Sequence, residues 1–474
     1  MRLQPFVRIA STVLAARIAT TVINAARHAP IRSLVTVSDT FDAGNIECIS
    51  ASDDLVKLKI KPDPFTELEK KSHSQWFALR AIYDPDEINA LTTTYEIVNA
   101  GDVSFPDAWE SYEVLASTDR EHWQRVANTC YDNGILRWEW THVAPGPVYF
   151  AYFDLYSYER HLNFLARIMD EREGVASIRS LGKTLDGREI DCVTVGNGPL
   201  QAWVIHRQHP GESMASFFAE GLLNRLLGLN SAGAVDPLAQ RLLTQFKFHI
   251  VPNVNPDGAF RGHLRTNAGG ANLNREWAST GDYEAPTVER SPEVYHILRA
   301  MDRSKVDLFV DVHGDEALPF AFCAGGEGLP KWGKRLEALH GAFVGAYSRA
   351  NPDMQAKFGY APDAPLEGNL AICSNQISER FDCLGLTLEM PFKDCAANPR
   401  EAGTTKGFDG DRAAMLGASL VDAMAHVAAQ VRGVEEPVFE LEDDKYVAPS
   451  EDAEEIKEWI TQRAVKAPWG EAMA

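Results

Sequence analysis

Four stretches of the sequence hold residues whose types and spacing suit hydrolysis at a metal. His209-Pro-Gly-Glu212 puts an imidazole and a carboxylate three residues apart between a strand-like run and a helix-like run. At a strand-to-helix turn both side chains project from the same end of a sheet, so they converge on one ion. Val306-Asp-Leu-Phe-Val-Asp-Val-His313-Gly-Asp-Glu ends an apolar run on a second imidazole, a costly position for a histidine with no bond to make. Two His and one Glu, with a fourth position open to water, are the ligand set of a catalytic zinc. Leu386-Thr-Leu-Glu389-Met-Pro buries a carboxylate in an apolar strand, which costs several kcal/mol unless the group has a partner or a task. General base beside a metal is such a task. The last stretch, Arg261-Gly-His-Leu-Arg265-Thr-Asn-Ala-Gly-Gly-Ala-Asn-Leu-Asn274-Arg275, is a Gly- and Asn-rich loop. Its arginines suit a carboxylate, because a planar guanidinium donates two parallel bonds. Taken singly, an HxxE or an exposed Arg is a common surface pattern. Their placement after successive strands gives them weight.

The elements that must position them fall into two textures. From about 40 to 155 short alternating runs (Leu55–Ile60, Gln75–Ile82, Thr94–Val98, Glu113–Ser117, Trp138–Val143, Val148–Leu155) are separated by turn signals, which predicts an antiparallel β-sandwich. After 155 the spacing predicts helices at Tyr158–Glu171, Met214–Leu227, Pro237–Thr244, Pro292–Asp302, Lys331–Arg349 and Asp411–Val431. Strands are predicted across Ala176–Gly196 and at Gln201–His206, Lys247–Pro252, Val306–Val312 and Leu384–Met390. Phe217, Phe218, Leu222 and Leu226 form the stripe that a sheet-covering helix needs. Alternation of this kind builds an α/β domain whose site lies at the carboxyl ends of the parallel strands.

Composition sets the outer limits. The 474 residues, 45 % hydrophobic and 24 % charged, are those of a folded chain of two or three domains. A net charge of −21 opposes nucleic-acid binding, and no apolar run is long enough for a membrane-spanning helix. The seven scattered cysteines, without CxxC pairs, read as thiols of a reducing compartment, so a cytoplasmic location is expected. The ends differ from the body. Residues 1–38 carry Arg2, Arg8, Arg17, Arg27 and Arg32 and no acid, as an organellar presequence or an over-extended start would. Residues 435–458 carry eleven acids against Lys445 and Lys457 and read as a solvated tail, with a docking or autoinhibitory segment as the alternative. The expected division is 1–38 basic extension, 39–157 sandwich, 158–434 catalytic domain and 435–474 acidic tail.

In their order and strand context, His209xxGlu212, Arg265, Asn274-Arg275, His313 and Glu389 resemble the zinc carboxypeptidase family, and Ser177-Ile-Arg-Ser-Leu-Gly-Lys-Thr-Leu-Asp-Gly-Arg-Glu-Ile resembles the opening of its catalytic domain. The spacing from Arg265 to Asn274, with Gln75-Trp-Phe and Phe153-Asp-Leu-Tyr-Ser-Tyr-Glu-Arg-His-Leu, is similar to the cytosolic carboxypeptidase subgroup, over roughly 40 to 432. The resemblance implies an α/β fold class: an amino-terminal antiparallel β-sandwich followed by a carboxypeptidase-type mixed sheet flanked by helices. It implies Zn²⁺ held by His209, Glu212 and His313, Glu389 as base, Arg265 on the oxyanion, and Asn274 and Arg275 on the terminal carboxylate. The implied substrate is the carboxy-terminal tail of a peptide or protein. Animal members of the subgroup remove glutamates from such tails, tubulin among them, and an acidic preference here would need a further cation, for which Arg261 and Arg380 are the candidates. Tyr360 is the candidate for the tyrosine that many members place over the substrate. One position departs from the pattern: Asn272 stands where the family usually has an Asp that accepts a hydrogen bond from a zinc-bound His, so lower zinc affinity is expected. The alternatives are a zinc amidohydrolase that deacylates small N-acyl amino acids and a non-catalytic tail binder. The sequence does not set the oligomeric state.

Overall fold

The computed structural model describes residues 33–85, 89–229, 234–401, 403–433 and 437–466. Residues 1–32, most of the stretch read as a basic extension, lie outside them. The first part of the chain supplies β1 (Val35–Ser38), β2 (Glu47–Ala51), β3 (Leu55–Lys59), β4 (Ala78–Tyr83), β5 (Leu91–Ile97), β6 (Leu115–Ser117), β7 (Gln124–Arg125), β8 (Cys130–Asp132), β9 (Ile135–His142) and β10 (Gly146–Ala151). They form two five-stranded sheets, ordered β1-β4-β10-β6-β7 and β2-β3-β5-β9-β8. The pairing is antiparallel as expected, except that β3 and β5 run parallel. Between the sheets lies an aromatic core in which Trp138 stacks on Tyr95 at 5.4 Å and on Phe77 at 6.2 Å. β1 begins inside the stretch expected to be an extension, because Val35 is fully buried and pairs with Tyr83 of β4.

The second part runs α1 (Tyr158–Glu171), β11 (Ala176–Lys183), β12 (Glu189–Val195), β13 (Leu200–His206), α2 (Met214–Leu227), α3 (Pro237–Gln245), β14 (Phe246–Val251), α4 (Pro256–Arg261), α5 (Pro292–Ser304), β15 (Leu308–Val312), β16 (Phe322–Ala324), α6 (Lys334–Ala350), α7 (Cys373–Phe381), β17 (Leu384–Glu389) and α8 (Gly410–Val427). The seven-stranded sheet is ordered β11-β12-β14-β13-β15-β17-β16. Its centre, β14-β13-β15-β17, is parallel and its edges are antiparallel. β15 and β17 are buried at every position, which is why they read as largely apolar runs. The two parts share one core: Tyr152 stacks on Phe392 at 4.5 Å, and Arg125 of β7 donates to the carbonyls of Phe392 and Phe408. Among the described residues no helix is long and apolar enough to cross a membrane. All seven cysteines are free; five are buried, while Cys48 and Cys130 are exposed.

The described part of the acidic segment is not simply solvated. Asp444 is buried and takes Arg349 Nη2 at 2.7 Å and His426 Nε2 at 2.8 Å. Ser450 bonds the backbone at Lys357 and Gly359, and α9 (Ala453–Lys466) sets Trp459 edge-on against Phe320 and Phe358. Trp459, and Phe439 beside the His426 ring, thus have partners on the body, which sequence distance concealed. Trp459→Ala should cost on the order of 1–2 kcal/mol, the scale of an aromatic contact plus partial burial. Denaturant unfolding of the full chain checks it, and an unchanged midpoint would mean the helix adds nothing to the fold.

Candidate active site

The four parallel strands end at one side of the sheet, and each sequence-predicted ligand or base follows from such an end. His209 and Glu212 sit in the turn after β13, His313 directly follows β15, and Glu389 closes β17. The turn is tight. Gly211 lies against the loop of Arg265, where a Cβ would stand 2.9 Å from the Leu264 carbonyl oxygen. Arg207, buried and left-handed at φ 60°, donates to the Pro210 and Tyr156 carbonyls and holds the turn from beneath.

His209, Glu212 and His313 are buried, and their donor atoms lie within 4.8 Å of one another. Glu212 Oε1 is 2.6 Å from His209 Nδ1, Glu212 Oε2 is 2.8 Å from His313 Nδ1, and the two Nδ1 atoms are 3.2 Å apart. Each ring also faces an acceptor on its far side. His209 Nε2 meets Asn272 Oδ1 at 3.2 Å, and His313 Nε2 meets Asp311 Oδ2 at 2.9 Å. With protons on both Nε2 atoms, the Nδ1 lone pairs and the carboxylate all turn inward at contact distance. Such a set repels itself unless a cation lies between, so the residues fit a dication of the zinc type. Burial pushes the Glu212 carboxyl up, but the two imidazoles hold it below its usual range. Burial likewise takes His209 down to about 3, which keeps it a neutral donor.

Glu389 is 6 % exposed, and its Oε2 is buried with no hydrogen-bond partner. Burial raises it well above the ordinary carboxylate range, a shift that a neighbouring dication opposes. The Tyr360 hydroxyl lies 2.7 Å from Asp315 Oδ2 and 3.2 Å from Glu389 Oε1, so the proposed tyrosine does reach the site. Asn274 and Arg275 stand in a 3₁₀ turn, Leu273–Arg275, fixed by the bond from the Cys373 N–H to Asn274 Oδ1 at 2.8 Å. Burial, and then the charge of Arg265, bring the Arg275 guanidinium down to about 10. His209, Glu212, Arg265, Asn274, Arg275, Tyr360 and Glu389 line one cleft of about 410 Å³.

Two expectations are corrected. Arg261 and Arg380 add no cation to the cleft, because each is tied at the surface in a two-pronged ion pair, to Asp186 and Asp302 respectively. Other residues of the site were not singled out. Asp311 accepts from Gln208 Nε2 at 2.6 Å, and Gln208 in turn accepts from Trp277 Nε1 at 2.8 Å, so a chain of three residues orients His313. Asp311 was legible by the argument applied to Glu389: it is a carboxylate in an apolar strand, two residues before His313 and so on the same face. Glu316 is buried in the cleft and pushed up to about 8 by that burial.

Comparison with known proteins places these features in a family. Residues 37–153 match the family described as the cytosolic carboxypeptidase N-terminal domain, and residues 161–347 match zinc carboxypeptidase. A metallo-carboxypeptidase from Burkholderia cenocepacia is 40 % identical, with a TM-score of 0.75 over 83 % of this chain and 100 % of that one. A metallo-carboxypeptidase from Pseudomonas aeruginosa, solved with (2-guanidinoethylmercapto)succinic acid, is 38 % identical, with a TM-score of 0.75 over 84 % of this chain and 100 % of that one. Cytosolic carboxypeptidase 6 of Caenorhabditis elegans is 26 % identical over 60 % of this chain and 63 % of its own length. Strand-end ligands, sheet order and overall likeness agree: the chain belongs to the zinc carboxypeptidase family, as a metallocarboxypeptidase, a hydrolase with Zn²⁺ for cofactor, behind the amino-terminal domain of the cytosolic carboxypeptidases.

Proposed function

We propose that the chain removes the last residue of peptides or protein tails, with His209, Glu212 and His313 holding the metal. The observation that carries this is the convergence of three buried donors beside an unpartnered carboxylate oxygen and two guanidinium groups in one cleft. Bound Zn²⁺ supplies a Lewis acid for the scissile carbonyl and activates water. Glu389 takes the attacking water's proton at Oε2 and delivers it to the leaving amine, while Tyr360 bonds Oε1 and leaves Oε2 unoccupied. The Arg265 guanidinium has no hydrogen bond or ion pair to any described residue, so its donors are open to the developing oxyanion, a contribution of about 3–4 kcal/mol per donor in comparable sites. Asn274 and Arg275 take the free terminal carboxylate and restrict attack to the chain end. A division into a 39–157 sandwich and a 158–434 catalytic domain is part of this reading. The two-part layout with its sandwich favours it over deacylation of small N-acyl amino acids, and the intact ligand set and base favour it over a non-catalytic binder.

For the terminal side chain, the acidic preference implied by the resemblance would have to use Arg265 or Arg275, the two guanidinium groups of the cleft. A second reading, a basic terminal residue, is favoured by the acidic side chains of Glu316, Glu327 and Asp363, which line the same cleft. The guanidino ligand of the P. aeruginosa relative supports it too.

Free and carboxy-amidated versions of one peptide should differ sharply. Amidation and Arg275→Ala should each remove most of the activity, and Glu389→Gln should bind peptide but turn over orders of magnitude more slowly. Equal cleavage of both peptides would point to an endopeptidase or amidase. Values of kcat/KM on matched peptides ending in Glu, Lys, Phe and Ala decide the terminal preference: a lead for Glu supports the acidic reading, one for Lys the basic reading. Asn272→Asp should tighten Zn²⁺ binding about 10- to 100-fold, because a charged acceptor raises the basicity of His209. Competition against a chelator measures this, and no change would release Asn272 from that role.

A further inference from the structure

The loop from Gly262 to Asn272 carries Arg265 and Asn272, yet it has no regular secondary structure to hold it. Four of its backbone donors, those of Leu264, Arg265, Thr266 and Asn272, go instead to the other part of the molecule. Asp63, in the connection between β3 and β4, accepts from Leu264 N at 2.7 Å, Arg265 N at 2.9 Å, Thr266 N at 2.9 Å and Thr266 Oγ1 at 3.0 Å. Glu69, in the same connection, accepts from Asn272 N at 3.1 Å and from Arg290 Nη2 at 2.8 Å. Between these two points Gly270 presses on Phe65, where a Cβ would stand 1.9 Å from the carbonyl oxygen. Asp63 is 4 % exposed, and among the described residues no cation pairs with it. A carboxylate buried without a counter-charge is costly, and four donors converging on it offset that cost. Its own backbone is tied back to His73, so the acceptor is itself held in place.

Arg265 is the residue most exposed to this arrangement. Its guanidinium has no partner among the described residues, so only its backbone and rotamer aim it. The peptide planes on both sides of Arg265 are those that Asp63 fixes. We propose that Asp63 is a positioning residue for the hydrolysis: the amino-terminal sandwich sets the peptide planes around Arg265 and thereby directs the guanidinium at the site of the oxyanion. The sandwich is then a component of the catalytic apparatus as well as a neighbour of it. The inference rests on the carboxypeptidase reading and on the role given there to Arg265.

The test is a double-mutant cycle on the full-length, zinc-loaded chain with a short free-carboxylate peptide. Asp63→Asn is nearly isosteric but sets an amide against backbone N–H groups. It should lower kcat about 10- to 100-fold, the scale of an ångström-sized misplacement, with KM and zinc content changed less than about threefold. Arg265→Ala should lower kcat at least as far. The double variant should be no slower than Arg265→Ala alone, because Asp63 acts through Arg265. Thr266→Val removes one of the four bonds and is the milder probe if Asp63→Asn does not fold; its smaller loss of kcat, about threefold, should likewise vanish in the Arg265→Ala background. Losses that add in either double variant, or a raised KM at unchanged kcat, would mean that Asp63 serves only to hold the loops together and would overturn the inference. An impaired Arg265→Ala beside an unimpaired Asp63→Asn defeats it while leaving the carboxypeptidase reading intact. A normal Arg265→Ala removes both the role of Arg265 and the inference.

Discussion

Glu212 sets the terms for the structure around it. It is an ionised carboxylate at 2 % exposure, and an isolated charge in that position would cost several kcal/mol. Two imidazoles face its oxygens, and each imidazole is oriented by an acceptor on its far side: Asn272 for His209, and Asp311 for His313. Those acceptors are themselves held, Asp311 by Gln208 and Trp277, and Asn272 through the Glu69 bond to its backbone. The polar network therefore reaches outward with each member bonded to the next, although Asp311 Oδ1 stays buried without a hydrogen-bond partner. A dication among the three donors completes it. Without one, two lone pairs and a carboxylate would face each other at contact distance.

The same requirement explains why the sandwich and the α/β part share a core. A loop without regular secondary structure, held in part by hydrogen bonds to another part of the chain, needs a rigid body to carry the acceptors. The stacking of Tyr152 on Phe392 and the bonds from Arg125 to the Phe392 and Phe408 carbonyls leave little room for relative motion of the two parts. Asp63 can fix the loop of Arg265 because the sandwich that carries it is packed against the catalytic core. The carboxy-terminal segment does comparable work on the opposite wall, where Ser450 bonds the chain on both sides of Phe358, two residues before Tyr360.

What the sequence made legible was whatever one strand or one helix decides by itself. His313 and Glu389 stood out because β15 and β17 are buried throughout, so a polar residue at their ends needs a reason. The helix at Met214–Leu227 was legible to the residue because its buried face is long. Short or exposed elements were not. β2 is exposed at all five positions and shows no alternation, β7 is two residues long, and the helix Pro256–Arg261 completes fewer than two turns. Partnership across the chain was equally hidden. Asp63 sits in a proline-flanked turn some two hundred residues from its donors, and Arg261 and Arg380 looked free only because Asp186 and Asp302 are distant in sequence.

On the proposed reading, the cleft also accounts for how a chain with a net charge of −21 holds an anionic chain end. At physiological ionic strength the screening length is about 8 Å, so most of the surface acids are invisible from within the cleft. What a terminal carboxylate meets is Arg265 and Arg275, two like charges close enough that the first helps bring the second down to about 10. Keeping both charged in a half-buried site costs free energy in the empty cleft, and a carboxylate between them removes that cost while forming bonds to Arg275 and Asn274. An amide forms some of the same hydrogen bonds but leaves the repulsion in place. Selection for the free chain end then comes from relief of a like-charge penalty as much as from the bonds gained, and it needs no help from the charge of the protein as a whole.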